Sequence, residues 1–285
     1  SYGLLIRRSR VRAPEGPQLM HNLGVDANAV WMALAISLFA GLSTGLGGVI
    51  VALKRSPSAR FLAGSLGFSA GVMVYISLIE LLPEGIESLI EADNPNPELW
   101  GTVAFFAGIV AIALIDRLVP EDVNPHEDPH SNGSNRMRNV GVFTAAAIAI
   151  HNFPEGFATF MVALADPVLA LPIAFAIAVH NIPEGVAVAV PLREATGRKW
   201  RAAGWAALSG LTEPLGAIIG FLLLRPFLGP QTLGLTFAAI AGVMVFVSLD
   251  KLLPTAIQTG RHHAAVYGLV AGMAVMAVSL LVLPG

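Results

Sequence analysis

The chain has no cysteine, and only 13% of its 285 residues are Asp, Glu, Lys or Arg, about half the share carried by a soluble domain of this size. Without thiols there can be no disulfide, and any metal-binding group must be imidazole, carboxylate, amide or thioether. The few charges nearly cancel, to a formal −2, so there is no basic surplus to attract nucleic acid. Charge is missing most completely in long stretches. From Ala27 to Leu53 there is no Asp, Glu, Lys or Arg at all, a run longer than the roughly 20 residues a helix needs to cross the hydrocarbon core. Comparable runs recur to the end of the chain, which is 55% hydrophobic with a mean hydropathy of +0.69. A soluble α/β architecture is excluded.

What is present divides into apolar runs and their breakers. Eight spans are expected, at Ala29–Leu53, Phe61–Pro83, Leu99–Leu118, Val140–Leu164, Val168–Leu192, Trp200–Leu224, Thr232–Leu253 and Ala264–Leu283. A polar tail, residues 1–28, precedes a membrane domain over 29–285 that is interrupted by one long polar loop at 120–139. The tail has no long apolar stretch of the kind a secretory signal needs and is expected to lack fixed structure. Because the chain begins without Met and Met20 lies just ahead of the first apolar run, a processed or upstream-extended start is also expected.

Basic residues gather in the odd-numbered loops: Lys54, Arg55 and Arg60; Arg136 and Arg138; Arg193, Arg198, Lys199 and Arg201; and Arg261. The second loop is acidic, with Glu87, Glu91, Asp93 and Glu98. This bias places the odd loops in the cytoplasm and both termini outside, in a multi-pass cell (inner) membrane protein. The four arginines of the tail oppose that orientation and are outvoted by the loops.

Two internal matches organise the spans. Gly71–Pro83 reads GVMVYISLIELLP and Gly242–Pro254 reads GVMVFVSLDKLLP, while AIAIHNFPEG (Ala147–Gly156) is echoed by AIAVHNIPEG (Ala176–Gly185). The members of each pair run in opposite directions across the membrane, as in an inverted-topology repeat, whose substrate site lies near the midplane. The expected fold is therefore all-α: eight transmembrane helices in a 3+2+3 inverted-repeat arrangement.

The repeated motif carries the chemistry. On a helix, residues four apart share a face, so His151 lies over Glu155 and His180 over Glu184, with Asn152 and Asn181 in adjacent sectors. Packed antiparallel about a pseudo-two-fold axis, two imidazoles, two carboxylates and two amides converge. Pro154 and Pro183 each leave one backbone carbonyl without its helical donor, an arrangement tolerated at membrane depth where it lines a cavity or is re-satisfied. Glu213, beside Pro214, adds a third carboxylate at mid-span. Three ionised groups there oppose insertion by roughly 8–10 kcal/mol on translocon scales, and a dication is the economical counter-charge. Met73 is a further candidate ligand. Ser77, Glu80, Ser209, Ser248 and Asp250 are candidates to line a pathway, and His126 and His130 of the long loop to collect metal.

HNFPEG, HNIPEG, SGLTEPLGA and GFSAGVMVYISLIELLP together resemble the ZIP (Zrt/Irt-like) family of metal-ion transporters, in particular its short bacterial zinc-uptake permeases, over Ala29 to the C-terminus. The resemblance implies eight helices, external termini and a binuclear centre in helices four and five. One metal would be held by His151, Glu155, His180 and Glu184, with Met73 as an optional ligand. The second would be held by Asn152, Asn181 and Glu213, with Glu155 and Glu184 bridging. Both motif copies are complete, which favours two occupied sites. The third loop has only two histidines, so loop-based metal sensing is not implied.

Imidazole, carboxylate and amide without thiolate suit Zn²⁺, and also Fe²⁺, Mn²⁺, Co²⁺ or Cd²⁺, whereas Mg²⁺ prefers oxygen and retained water. The expected partners are these ions and the lipid bilayer, a homodimer is an admissible assembly, and metal enters as cargo rather than as a catalytic cofactor. The rival reading is an intramembrane zinc metalloenzyme. Such sites keep an open position beside three protein ligands; the reading is disfavoured by the lack of His-Glu-x-x-His and by ligands duplicated symmetrically, which suits passage better than one-sided chemistry.

Overall fold

A computed structural model describes residues 27–53, 58–118, 133–165, 167–224, 227 and 229–282. The described residues form eight helical rods. These are α1 (Ala27–Leu53); α2 (Ala59–Ile76, Ser77–Leu81 and Leu82–Glu91); α3 (Pro97–Leu118); α4 (Gly133–Ala165); α5 (Pro167–Thr196); α6 (Lys199–Gly210 and Thr212–Leu224); α7 (Pro230–Val247, Ser248–Leu252 and Leu253–Gln258); and α8 (His262–Val282). No strand occurs among the described residues.

α4 begins at Gly133, inside the polar loop expected at 120–139, and two other rods run on past the prolines at which the apolar runs end, for one reason. The runs place span ends at Pro83 and just before Pro254, yet α2 continues to Glu91 and α7 to Gln258. Each proline follows a five-residue π-helical turn, Ser77–Leu81 or Ser248–Leu252, and falls in the first turn of the segment beyond it. There its missing N–H is tolerated, as at a helix start. The two turns occupy matching positions of the internal repeat. In both, the serine hydroxyl donates to a methionine carbonyl one turn back, Ser77 Oγ to Met73 O and Ser248 Oγ to Met244 O, each at 2.7 Å.

Among the described residues, six rods are long and apolar enough to cross a membrane: α1, α2, α3, α6, α7 and α8. The other two, α4 and α5, have 33 and 30 residues, ample length for a crossing at 1.5 Å per residue. They carry the two polar motifs and pack against each other and against α1 and α6. The bundle is apolar outside and encloses a polar cluster within an otherwise apolar core. Ser37, Thr44, Asn152, Glu155, Thr159, His180, Asn181, Glu184 and Glu213 are buried, whereas Trp31, Phe106, Leu222 and Leu281 are 57–80% exposed. Water would reject such a surface, and hydrocarbon solvates it.

Packing follows the repeat. α1 lies along α5 as α6 lies along α4; α2 lies along α8 as α7 lies along α3; α1 touches α4 as α6 touches α5. Exchanging α1, α2, α3 and α4 for α6, α7, α8 and α5 therefore maps the pairings onto themselves, which is the arrangement expected of a 3+2+3 repeat. Two four-helix groups result, α1/α4/α5/α6 and α2/α3/α7/α8, meeting mainly where α2 crosses α5.

Glycine makes the first group tight. A Cβ on Gly185 would overlap the Thr44 carbonyl of α1, and one on Gly156 would overlap the Glu213 backbone of α6. The backbones touch because no side chain stands between them.

Candidate metal centre

The polar motif side chains that the structure describes are fully or almost fully buried, as is Glu213: Asn152, His180, Asn181, Glu184 and Glu213 at 0% exposure and Glu155 at 1%. The side chain of His151 lies outside the described residues, as do His126 and His130 of the long loop.

The long central helices bring these groups to one level. Glu155 of α4 meets His180 of α5, with Oε1 and Nε2 2.6 Å apart. Asn181, the next residue of α5, donates from Nδ2 to Glu213 Oε1 of α6 at 2.5 Å and to the Ala40 carbonyl of α1 at 3.0 Å. Asn152 donates to the Ser209 carbonyl at 3.4 Å. Glu184 Oε1 accepts from Ser69 Oγ of α2 at 2.9 Å. Each of the three carboxylates is thus held by a side chain from a helix other than its own, Glu155 and Glu213 by α5 and Glu184 by α2.

Local sequence explains the placement of Glu213. α6 is broken at Leu211, and Thr212 caps its own turn by donating Oγ1 to the Ser209 carbonyl at 2.6 Å. Glu213 then falls in the first turn of Thr212–Leu224, where the partial positive charge of a helix start favours a carboxylate. Pro214, without an N–H, suits such a start.

The site is rich in acceptors. Asn152 Oδ1, Asn181 Oδ1, Glu213 Oε2 and Thr44 Oγ1 are buried with no hydrogen-bond partner among the described residues. Leaving a buried acceptor unsatisfied costs about 1–3 kcal/mol. Two amide oxygens and a carboxylate oxygen in that condition form a donor set for a hard or borderline cation. Among the described residues, however, no three His, Asp or Glu side chains stand at the spacing of a closed metal cage.

The other sequence candidates separate. Met73 is fully buried and its Sδ lies 3.9 Å from Ser69 Oγ. Ser209 is buried with its hydroxyl turned to the Ala206 carbonyl at 2.8 Å, and Ser77 and Ser248 are likewise turned to their own helices. Glu80 is half-buried on the π-helical turn of α2. Asp250 is paired with Lys251 at 3.2 Å, which also binds Asp116 of α3 at 2.8 Å. Sequence reasoning missed Ser69, Thr44 and Ser37, whose Oγ donates to the Gly156 carbonyl at 3.4 Å. For Ser69 a signal existed, because it lies one helical turn before Met73 and so shares its face.

Comparison with known proteins agrees with the resemblance read from the motifs. The family model described as "ZIP Zinc transporter" matches residues 27–138 and 120–280. The chain is 59% identical over 265 residues to a protein named "Zinc transporter ZupT" from Corynebacterium efficiens, covering 90% of this chain and 99% of that one. It is 60% identical over 257 residues to the protein of that name from Corynebacterium glutamicum (87% and 98% covered), and 50% identical over 279 residues to that from Clostridium perfringens (90% and 98%). With a family model spanning nearly all the described chain and relatives matched over almost their full length, this chain belongs to the ZIP zinc transporter family.

Proposed function

We propose that this protein carries zinc, and with it related divalent ions such as iron, manganese, cobalt or cadmium, across the cell membrane into the cytoplasm. The observation that carries the reading is the burial of Glu155, Glu184 and Glu213 at 0–1% exposure inside an apolar-surfaced bundle. Their helices contain no Lys or Arg between Val140 and Leu192 or between Ala202 and Leu224. Fixed cationic side chains on those stretches are therefore not the counter-charge, and a dication supplies it while bound. The cargo is held by His151, Glu155, His180 and Glu184, with Met73 beside them, and at a second position by Asn152, Asn181 and Glu213, with Glu155 and Glu184 shared. Two ions at adjoining positions neutralise three carboxylates and leave a small net positive charge, which favours onward movement over permanent retention.

Both termini face outward and the odd loops face the cytoplasm; the support is the basic bias of loops one, three, five and seven. The protein is not an enzyme, and the metal is cargo throughout. Ser77 and Ser248 serve the π-helical turns rather than the path, since their hydroxyls already bond their own helices. Zinc uptake by purified protein in sealed proteoliposomes tests the reading. Wild type accumulates zinc, and Glu184→Ala abolishes uptake while the protein still reaches the membrane folded. Undiminished flux in that variant refutes the assignment.

A further inference from the structure

Ser69 stands apart from the motif in both sequence and structure. It belongs to α2, in the four-helix group that does not carry the motif, and it is completely buried. Its hydroxyl spans the junction between the groups, donating to Glu184 Oε1 of α5 at 2.9 Å, with Met73 Sδ 3.9 Å away on its own helix. Through this bond α2 reaches a carboxylate of the motif directly. A bond from a neutral donor to a buried carboxylate is of the stronger kind. Fixing one carboxylate oxygen also fixes the plane, and hence the direction, of the other.

We propose that Ser69 is a positioning and specificity-determining residue for metal binding. Its hydroxyl orients Glu184 toward the cargo, and its place beside Met73 makes α2 the side of the site that weighs hard against soft ions. This inference rests on the transport reading above. Oxygen at position 69 next to the sulfur of Met73 gives α2 one hard and one soft atom. Replacing the oxygen with sulfur would make both soft, and soft ligands select softer ions. Because the chain has no native cysteine, Ser69→Cys introduces its only thiol, so any change in ion preference belongs to that position.

The test is a double-mutant cycle on the full-length protein in detergent, reading zinc affinity by titration. It is joined to cadmium-against-zinc uptake in proteoliposomes. Ser69→Ala weakens zinc binding about tenfold in the native background and by less than about twofold in a Glu184→Gln background, because its effect passes through that carboxylate. Ser69→Cys raises the cadmium-to-zinc uptake ratio several-fold. A weakening of equal size in both backgrounds, or unchanged zinc affinity together with an unchanged ion ratio, overturns the proposal. So does failure of both the Ala and the Cys variants to give folded protein, which would make Ser69 a packing residue. If wild-type protein neither binds nor accumulates zinc, the transport reading itself fails, an outcome distinct from these.

Discussion

Substituting alanine for Gly185 tests the packing of the metal-bearing helices directly. The added Cβ falls onto the Thr44 carbonyl oxygen and close to the Gly47 backbone, and no rotamer change can relieve a clash between main chains. α1 and α5 must separate by about an ångström or more. A gap of 0.5–1 Å already forfeits about a quarter to a half of each dispersion contact, and α1–α5 is among the most extensive pairings in the molecule. Overpacking typically costs about 1–3 kcal/mol, and here the upper end applies. Against it stands the gain of about 1 kcal/mol for Gly→Ala within a helix, so a net loss of about 2 kcal/mol remains. At about 2–4 °C per kcal/mol for a chain of this size, Gly185→Ala lowers the melting temperature of the purified protein by roughly 4–8 °C. Gly204→Ala is the internal control. It sits in the first half of α6 with no atom within 4 Å of an added Cβ, so only the propensity term acts and the melting temperature rises by about 2–4 °C. Scanning fluorimetry of both variants beside wild type decides the matter. If Gly185→Ala melts at or above wild type, or if the two variants shift alike, the close approach of α1 and α5 is wrong.

Other outcomes follow from the same contacts. Asn181→Ala removes bonds to both Glu213 and the Ala40 carbonyl and destabilises by about 2–4 kcal/mol; Asn152→Ala, with one longer bond to Ser209, costs clearly less, and equal melting temperatures for the two would contradict the geometry. Zinc at about a hundred times its dissociation constant adds about 2.7 kcal/mol, so the melting temperature rises on addition and returns on chelation; a zinc-insensitive transition counts against the centre. Lys251→Ala releases Asp116 and Asp250 at a partly exposed site and costs no more than about 1 kcal/mol, with zinc uptake retained; lost uptake would give that cluster a role in the path.

Much of this is legible in the sequence, for identifiable reasons. The match between Gly71–Pro83 and Gly242–Pro254 announces a repeat because it preserves Ser and Pro as well as apolar residues. Those two residue types also anchor the paired π-helical turns. His-Asn-x-Pro-Glu-Gly is legible because a His and a Glu one turn apart are costly in lipid unless they are used. The continuation of α2 beyond Pro83 is not legible, since a proline after an apolar run ordinarily ends the helix and no periodicity marks a wide turn. Ser69 shares a face with Met73, but that signal is easily overlooked. A lone serine among Gly, Ala and Phe reads as small-residue packing, and its partner Glu184 is 115 positions away.

The wide turn in α2 also changes which way the rod faces. Ahead of it, a Cβ on Gly71 would strike the Leu269 carbonyl of α8; beyond it, one on Gly85 would strike the Gly234 carbonyl of α7. In an uninterrupted α-helix, fourteen residues at about 100° each would bring Gly85 to within about 40° of Gly71, aimed at the same neighbour. One surplus residue in the winding retards the phase by about 100° and swings Gly85 to the far side. Rewinding that turn into plain α-helix with all its residues kept would leave the last three turns of the rod addressing the wrong helix and the join to α7 lost, whereas deleting one residue between Ser77 and Leu81 would remove the surplus and keep Gly85 aimed at α7.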